Sequence, residues 1–324
     1  MNHKYTPNVA IIISTYNGED FINEQLNSLC SQDYPHISIY IRDDLSKDNT
    51  LSIIKDNFLE KITFINNNGE NLGPALSFLN ALVNIDSDIY MFCDQDDIWN
   101  TDKVSRAVQS ICKYGLNKSI LYHSNLALVD ANSQSLNINF EQNQGQSFPR
   151  DHCFERLLIE NSVVGCTTAF TKALVKSSQI NKLLDDGRDI RMHDWWLALT
   201  ASIYGKIIYD PVSTIKYRQH QSNVCGVSKK QSFLLKLIND FRRKKILRFI
   251  SHQKSISLQS KVFGDIHEKK LTKEQLKKIA VVNNFSDNTI FNSFLFFKHR
   301  FYFRKLYLNL LVIYLSLFNW FYKN

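Results

Sequence analysis

The sequence lacks the features that mark several classes of protein. Its six cysteines are scattered, with no C-x-x-C pair and no spacing typical of a zinc site, so we expect reduced, buried thiols in a cytosolic protein. It has no low-complexity tract and no internal repeat, and its 44% hydrophobic and 22% charged residues are typical of a globular protein. The 324 residues suffice for one large domain, or for one domain with an appendage.

Two motifs are also absent near the N-terminus. The five apolar residues Val9–Ile13 are too few for the hydrophobic region of a signal peptide, so they are predicted as part of a first strand. The next stretch, "STYNGED", contains a single glycine, and no segment of the sequence resembles a P-loop or a G-x-G-x-x-G loop. The missing glycine-rich loop argues against a nucleotidyltransferase.

The net charge of +8 is the sum of two unequal parts. Residues 1–225 hold 19 basic and 26 acidic residues, whereas residues 226–324 hold 20 basic and five acidic ones. A basic tail is typical of proteins that bind nucleic acid or an anionic membrane surface. The uncharged apolar run Leu306–Tyr322, flanked by basic residues, favours the membrane, and we expect no nucleic-acid partner.

The tail, residues 227–324, is predicted to be a helical, basic extension that associates with a membrane. Apolar residues recur at helical spacing before the basic run Arg242–Lys245, namely Phe233, Leu234, Leu237, Ile238 and Phe241. Leu306–Tyr322 has 17 residues, at the short limit for a bilayer span of about 20 residues. We therefore expect docking without a need to span the bilayer, and packing as a core helix is the alternative.

Short apolar runs alternate with helical patterns through the first half of the chain. The predicted strands are Val9–Ser14, Ile37–Ile41, Ile62–Ile65 and Ile89–Cys93, and the predicted helices between them are Asp20–Ser31, Asn49–Phe58 and Pro74–Val83. This alternation predicts an α/β fold with a parallel sheet covered on both faces. Farther along, Ser119–Asp130 is predicted as a strand region and the polar stretch Asn132–Arg150 as a mobile loop.

Polar clusters follow each of the four predicted strands. Ligands of parallel sheets bind at the carboxyl ends of the strands, so these clusters are expected to meet at one crevice. The fourth cluster, in "YMFCDQDDIW", crowds the carboxylates of Asp94, Asp96 and Asp97 into four residues. Like charges this close destabilise a fold unless something offsets them. The candidates are a divalent metal, a structural turn and a helix N-terminus.

The order of motifs resembles glycosyltransferase family 2, the inverting transferases with a GT-A fold, and above all its rhamnosyltransferase-like branch, which assembles bacterial surface polysaccharides. The motifs are "STYNGEDFINEQLNSLCSQ", "IRDDLSKDNT", "NLGPALSF", "FCDQDDIW", "NSVVGCTTAF", "HDWWLAL" and "YRQHQSNVCG". The resemblance implies a GT-A catalytic domain over residues 1–226, with a Rossmann-like, mostly parallel central sheet and flanking helices. Its nucleotide-sugar half would span about residues 1–130 and its acceptor half about 131–226.

The resemblance also implies roles for individual residues. Asp94 and Asp96 match the D-x-D that holds a divalent cation, Mg²⁺ or Mn²⁺, with His220 as a third ligand or as a structural residue. The residues implied to bind the nucleotide sugar are Thr15, Tyr16, Glu19, Asp43, Asp44, Gly73, Asp94, Gln95 and Arg218. Asp43 and Asp44 are alternatives for the contact with the base, and Arg218 would bind the diphosphate.

The implied catalytic base is Asp194, which would deprotonate the acceptor hydroxyl, unless it is only a helix N-cap. His193 stands where many family members have Glu. The residues implied near the acceptor or sugar are Asp97, Trp195, Trp196 and His193, although core packing is an alternative for each tryptophan.

The implied function is that of an inverting, metal-dependent glycosyltransferase. It would move a sugar, L-rhamnose from dTDP-rhamnose in this branch, to a growing, lipid-linked glycan such as an O-antigen or a capsule. The alternatives are another UDP- or dTDP-sugar and a non-catalytic, membrane-recruited subunit with the same fold. The expected location is cytoplasmic and peripheral, on the inner face of the cell membrane.

Overall fold

The structure, a computed structural model, describes residues 6–144, 152–220 and 243–323. The strands are β1 (Val9–Thr15), β2 (Ile37–Asp43), β3 (Ile62–Phe64), β4 (Ile89–Cys93), β5 (Ile98–Trp99), β6 (Ser119–Val129), β7 (Ser135–Asn139), β8 (Thr168–Thr171) and β9 (Gly205–Arg218). The helices are α1 (Ile22–Cys30), α2 (Thr50–Phe58), α3 (Gly73–Val83), α4 (Lys103–Cys112), α5 (Phe140–Gln144), α6 (Phe154–Ile159), α7 (Lys172–Ser177), α8 (Ile180–Asp185), α9 (His193–Tyr204), α10 (Arg243–His267), α11 (Lys273–Asn283), α12 (Ile290–Lys298) and α13 (Leu306–Lys323).

The chain divides into two compact units. The first comprises Met1–Gln144, Val163–Asp186 and Met192–Val227, and it contains the whole described sheet. The second comprises Gly145–Ser162, Gly187–Arg191 and Ser228–Asn324, and it is helical where it is described.

The first unit is built on one sheet with the strand order β3-β2-β1-β4-β8-β6-β9-β5, and β7 pairs with β6. The predicted parallel arrangement is confirmed for β3, β2, β1 and β4. Beyond β4 the sheet is mixed, because β8 runs antiparallel to β4 and β6, and β9 runs parallel to β6. The α/β class with flanking helices is therefore as predicted.

The central strands β1 and β4 are mostly apolar because both faces of the sheet are covered. Val9, Ile11 and Ile13 belong to the same buried cluster as Ile89 and Met91 on the neighbouring strand, and each is at most 1% exposed. Burying one such aliphatic side chain contributes about 1.5–3 kcal/mol. This covered sheet is the rigid base from which the strand-end loops extend.

The prediction of a loop over Asn132–Arg150 is wrong for its described part. Ser135–Asn139 forms β7 and is followed by α5, while residues 145–151 lie outside the described part of the chain. The carboxylate of Asp130 accepts the backbone N–H groups of Asn132 and Gln134, each at 2.9 Å, and so closes a turn between β6 and β7. Pairing with β6 outweighs the weak local strand propensity of these polar residues.

The second unit contains α6 and α10–α13. Thr272 and Gln275 form a capping box at the start of α11, which satisfies two backbone N–H groups that a helix N-terminus otherwise leaves unpaired. An aromatic cluster packs around the ring of Phe296, with centroid distances of 4.1 Å to Phe285 and 5.2 Å to Phe301. Within the described residues, no helix has both the length and the apolar character needed to cross a membrane.

The predicted helical extension, residues 227–324, lies only partly within the described residues. Its apolar residues Phe233, Leu234, Leu237, Ile238 and Phe241, and Arg242 of the basic run, lie outside the described residues. The predicted run Leu306–Tyr322 falls within α13. In that helix Leu311, Val312 and Leu315 are buried, and other apolar side chains are exposed.

Candidate active site

A cavity of about 440 Å³ lies in the first unit at the carboxyl ends of β1, β2 and β4. Tyr16 follows β1, Asp44 follows β2, and Asp94 follows β4, and all three line the cavity. The turn into α3, the start of α9, the pair Val164 and Gly165, and Tyr217 of β9 also line it. Its volume is in the range of small-molecule sites, and its place is the one predicted for a ligand of a parallel sheet.

The acidic cluster after β4 is divided between the cavity and the core. Asp94 and Asp96 line the cavity, whereas the side chain of Asp97 is fully buried and does not. One carboxylate oxygen of Asp97 accepts the backbone N–H of Arg218 at 3.2 Å. The acceptor contact predicted for Asp97 would therefore require this side chain to leave the core.

Burial and mutual repulsion raise the pKa values of two carboxyls in this cluster. Burial, followed by the charges of Asp96 and Asp194, raises the pKa of Asp94 to about 7. Burial, followed by Asp96 and Asp94, raises the pKa of Asp97 well above its usual range. A divalent cation beside these groups would oppose both shifts, because it favours the ionised form.

The predicted metal ligands Asp96 and His220 lie together. His220 Nε2 is 2.8 Å from Asp96 Oδ2, and the His220 ring stacks on Phe21 at a centroid distance of 4.9 Å. With Asp94 on the same cavity, these residues offer carboxylate oxygens and one imidazole, which suit Mg²⁺ or Mn²⁺. The residue types therefore fit the predicted cation, although Asp94, Asp96 and His220 do not bring one ligand atom each within 4.8 Å of one another.

A second grouping of possible ligands exists among the described residues. Atoms of Asp94, Asp97 and Cys166 lie within 4.8 Å of one another. Both Asp97 and Cys166 are buried, however, and the buried ammonium group of Lys103 contributes a positive charge near Asp97. A thiol is also a poor ligand for a hard cation, so Asp94 and Asp96, which line the cavity, and His220 beside Asp96 fit better.

Arg218 is buried and donates to protein oxygens. Its guanidinium bonds the backbone oxygens of Asp96 and Ala131, each at 3.0 Å, and the hydroxyl of Ser133 at 2.8 Å. It also pairs with the carboxylate of Glu24. These contacts hold the loop after β4, and Arg218 is not among the residues that line the cavity.

Tyr16 and Gln95 join the loops after β1 and β4. The Tyr16 N–H donates to Gln95 Oε1 at 2.9 Å, and Gln95 Nε2 donates to the Tyr16 carbonyl at 3.0 Å. The Tyr16 side chain is 47% exposed, so its ring is accessible to a ligand. A Cβ on Gly18 would lie 2.5 Å from Gln95 Oε1, so a side chain there would displace the Gln95 amide that joins the two loops.

The adjacent carboxylates Asp43 and Asp44 have different surroundings. Asp43 accepts from the hydroxyls of Thr15 (2.7 Å) and Ser46 (2.6 Å) and does not line the cavity. Asp44 does line it, pairs with Arg42, and accepts the Gly73 N–H at 2.8 Å. Thus only Asp44 of the two faces the cavity.

Gly73 and Glu19 belong to the turns around this part of the site. Gly73 has φ +69°, a conformation that few residues other than glycine adopt, and it lines the cavity. The Glu19 carboxylate accepts the backbone N–H and the side-chain amide of Asn49, at 2.9 and 2.8 Å. Glu19 therefore supports the start of α2 and is outside the cavity lining.

Asp194 lies in the first turn of α9 and lines the cavity. Its Oδ1 accepts the N–H of Trp195 at 2.6 Å, and the N-terminal end of the helix dipole favours the ionised carboxylate. The N-cap residue of the helix is Met192, so Asp194 is not the N-cap itself.

Trp195 and Trp196 belong to the core of the first unit. They are 3% and 0% exposed, and Trp196 Nε1 donates to the Ser178 carbonyl at 2.9 Å. Neither tryptophan lines the cavity. Their packing fixes the helix that carries Asp194.

His193 is buried and neutral. Its ring lies 4.3 Å from the ring of Phe78 and 4.7 Å from that of Phe92, and burial lowers the pKa of His193 to about 3. Neither ring nitrogen has a hydrogen-bond partner among the described residues, and the residue lines the cavity. The imidazole can therefore give or take one hydrogen bond with a ligand.

Gly165 is a site residue that the sequence reasoning did not identify. A Cβ there would lie 2.7 Å from His193 Nε2 and 3.5 Å from Asp194 Oδ2. The only signal in the sequence is the single glycine in "NSVVGCTTAF". Its partners come from α9, so the need for a glycine became visible only in three dimensions.

The sequence matches the family described as "Glycosyl transferase family 2" over residues 10–167. It is 33% identical over 226 residues to the dTDP-rhamnosyl transferase RfbG of Shigella flexneri, an alignment that covers 67% of this chain and 74% of that protein. It is 25% identical over 229 residues to the uncharacterized glycosyltransferase RT0329 of Rickettsia typhi, covering 70% and 69% of the two chains.

The fold of this chain is similar to those of solved structures. One is Staphylococcus aureus TarS 1–349 in complex with UDP-GlcNAc, with a TM-score of 0.51 and 16% identity, covering 86% of this chain and 90% of that one. Another is the mannosyltransferase PcManGT of Pyrobaculum calidifontis with GDP-Man and Mn²⁺, with a TM-score of 0.50 and 16% identity, covering 99% and 89%. At this identity the likeness bears on the fold alone, and it agrees with the predicted GT-A fold.

Proposed function

Because this chain belongs to glycosyltransferase family 2, we propose that it is an inverting, metal-dependent transferase that moves a sugar from a nucleotide diphosphate to a lipid-linked glycan. One observation carries the proposal: Asp94 and Asp96 line the same cavity as Asp194. Two carboxylates suited to a cation and a third suited to proton transfer are the parts that such a reaction needs.

The proposed donor is dTDP-L-rhamnose. The 33% identity to the Shigella transferase, whose name specifies dTDP-rhamnosyl transfer, supports this choice. The exposed ring of Tyr16 is available to stack on a pyrimidine, and the Asp44 carboxylate has lone pairs left to accept the pyrimidine N3–H. Asp43 is less suitable because it does not line the cavity.

The carboxylates of Asp94 and Asp96, with His220 beside Asp96, would hold Mg²⁺ or Mn²⁺. When bound, the cation would neutralise the negative charge that develops on the departing diphosphate. Arg218 supports this role from within the protein, since it bonds the Asp96 carbonyl and keeps the loop in place. We propose this positioning role for Arg218 in place of a contact with phosphate.

In the proposed transfer step, Asp194 takes the proton of an acceptor hydroxyl. The hydroxyl oxygen forms a bond to the anomeric carbon as the bond from that carbon to the phosphate oxygen breaks. The bonding electrons leave with the nucleoside diphosphate, and the configuration at the anomeric carbon inverts. His193 lines the same cavity and is proposed to hydrogen-bond a sugar or acceptor hydroxyl as a neutral imidazole.

The acceptor is proposed to be a lipid-linked glycan at the cytoplasmic face of the cell membrane. The basic composition of residues 226–324 supports association with an anionic surface. The protein would then be peripheral, and the product would belong to a surface polysaccharide such as an O-antigen or a capsule.

A screen of donors tests the proposed function. Purified protein is heated with Mn²⁺ or Mg²⁺ and with dTDP-rhamnose, UDP-sugars or GDP-mannose in turn, and a true donor is expected to raise the unfolding midpoint. Asp96→Asn should lose this shift, and Asp56→Asn, a change on the exposed face of α2, should keep it. If no nucleotide sugar shifts the midpoint with either metal, the proposed function is wrong.

A further inference from the structure

Helices α12 and α13 in the second unit expose a set of large apolar side chains, which we call the outer apolar face. Its members are Phe291, Phe294, Leu306, Leu310, Ile313, Tyr314 and Leu317. Phe291 is 65% exposed and Phe294 59%, which is unusual for two phenylalanines on one helix. Clusters of large exposed apolar side chains mark interaction sites on protein surfaces.

These exposed residues do not result from loose packing, because the opposite sides of both helices are buried. Phe296 of α12 and Val312 of α13 are fully buried, and the hydroxyls of Ser293 and Ser316 bond to each other between the two helices. On α13 the exposed positions recur at helical spacing, from Leu306 to Leu317. Each helix therefore has one apolar side that is buried and a second apolar side that is exposed.

Basic residues predominate in the segment that carries the outer apolar face. Residues 288–324 contain five basic residues and no Asp or Glu. The ammonium group of Lys298 lies 5.8 Å from the centroid of the Phe294 ring, so a cation borders the face directly. Arg300 is exposed in the turn that follows α12. Two carboxylates also lie near these helices, since Asp287 accepts from Asn292 Nδ2 at 3.5 Å and Glu160 pairs with Arg304, but the five basic residues outnumber them. Apolar side chains with an excess of cations around them match the headgroup region of an anionic bilayer.

We propose that the outer apolar face docks on the surface of an anionic lipid bilayer. Phe291 and Phe294 would enter the boundary between headgroups and acyl chains while the adjacent basic side chains remain among the lipid phosphates. The charge pattern selects this occupant over a second copy of the chain, because two copies would bring like charges together. The purpose of docking, access to a lipid-linked acceptor, rests on the proposed function.

Vesicle flotation of the full-length protein tests the proposal. The vesicles are phosphatidylcholine alone or phosphatidylcholine mixed with phosphatidylglycerol, and the parent is expected to float with the mixed ones. The double variant Phe291→Gln/Phe294→Gln should lose at least about tenfold in partitioning. Leu247→Gln/Leu258→Gln is the matched control, because it removes two exposed apolar side chains of α10 outside the outer apolar face.

Several outcomes would overturn the proposal. They are a parent that does not float, a phenylalanine variant that floats as well as the parent, and an equal loss in the leucine control. A phenylalanine variant that instead turns a dimer into a monomer without lipid would assign the face to a second copy. The thermal midpoint of each variant, with and without donor, shows whether it folds and binds, so failure of docking is distinguishable from failure of the proposed function.

Discussion

The contact between Gly165 and His193 provides a sharp prediction about the site. Replacing Gly165 with alanine places a Cβ 2.7 Å from His193 Nε2, about 0.7 Å closer than an ordinary contact between such atoms. The imidazole is 2% exposed and lies between Phe78 and Phe92, so it has little room to move away. We expect the overlap to cost about 1–3 kcal/mol of folding free energy, the range for overpacked cores.

The same change is expected to slow transfer more than it weakens donor binding. His193 and Asp194 are adjacent in the first turn of α9, and the new Cβ would also lie 3.5 Å from Asp194 Oδ2. A misplacement of about 1 Å in a reacting group reduces turnover by about 100-fold. The assay is turnover of the proposed donor with Gly165→Ala, alongside the donor-induced shift of the unfolding midpoint.

A double-mutant cycle separates this contact from a general loss of stability. His193→Ala removes the ring that the new methyl would meet, so Gly165→Ala should cost much less stability in the His193→Ala background than in the parent. If Gly165→Ala has equal effects in both backgrounds, or leaves stability and turnover unchanged in the parent, the reasoning about this contact is wrong.

Three other changes probe the site. Asp96→Asn should abolish transfer without unfolding the protein, and chelation of the metal should do the same to the parent, so full activity with excess chelator would refute the cation site. Asp194→Asn should lower turnover by about 10²–10⁴-fold while the donor still raises the unfolding midpoint, because a base acts in the transition state. Loss of donor binding instead would place the base elsewhere. Burial lowers the pKa of His193 to about 3, so below pH 6.5 the unfolded chain binds a proton that the folded protein does not. This histidine should therefore lower the free energy of unfolding by about 1.4 kcal/mol per pH unit from about pH 6 towards pH 3. In urea unfolding at several pH values, His193→Phe should remove this part of the pH dependence. An unchanged pH dependence would contradict a buried neutral imidazole.

The place of the site was predictable from the sequence because strand ends are local features. The apolar run of β4 and the carboxylates of Asp94 and Asp96 are adjacent in the chain, and parallel strands bring their carboxyl ends together. The parallel direction of β1, β2 and β4 was likewise implied by the alternation of strands and helices.

The orientation of neighbouring residues in a turn was not predictable. Asp96 faces the cavity and Asp97 the core, and Asp44 faces the cavity while Asp43 bonds Thr15. Such differences depend on the backbone angles of single residues, which a sequence pattern does not specify. Only the folded loop shows which of two adjacent carboxylates a ligand could reach.

Contacts between residues far apart in the sequence could not be predicted either. Arg218 meets Glu24, Ala131 and Ser133, which lie 85–194 positions away. Its type and its place beside His220 suggested a phosphate contact, because arginine suits phosphate as well as carbonyl oxygens. Burial decides the environment of such a residue, and burial is a property of the whole fold.

Calorimetric titration of dTDP-rhamnose is the most direct test of the central claim that Asp94 and Asp96 bind the donor through a cation while Asp194 serves the chemical step. We expect the parent to bind the donor with Mn²⁺ and to lose at least about tenfold in affinity in chelator. Asp96→Asn should bind as weakly as the chelated parent, and Asp194→Asn should bind as tightly as the parent with Mn²⁺. Equal affinity with and without the cation, or loss of binding in Asp194→Asn alone, would contradict the account.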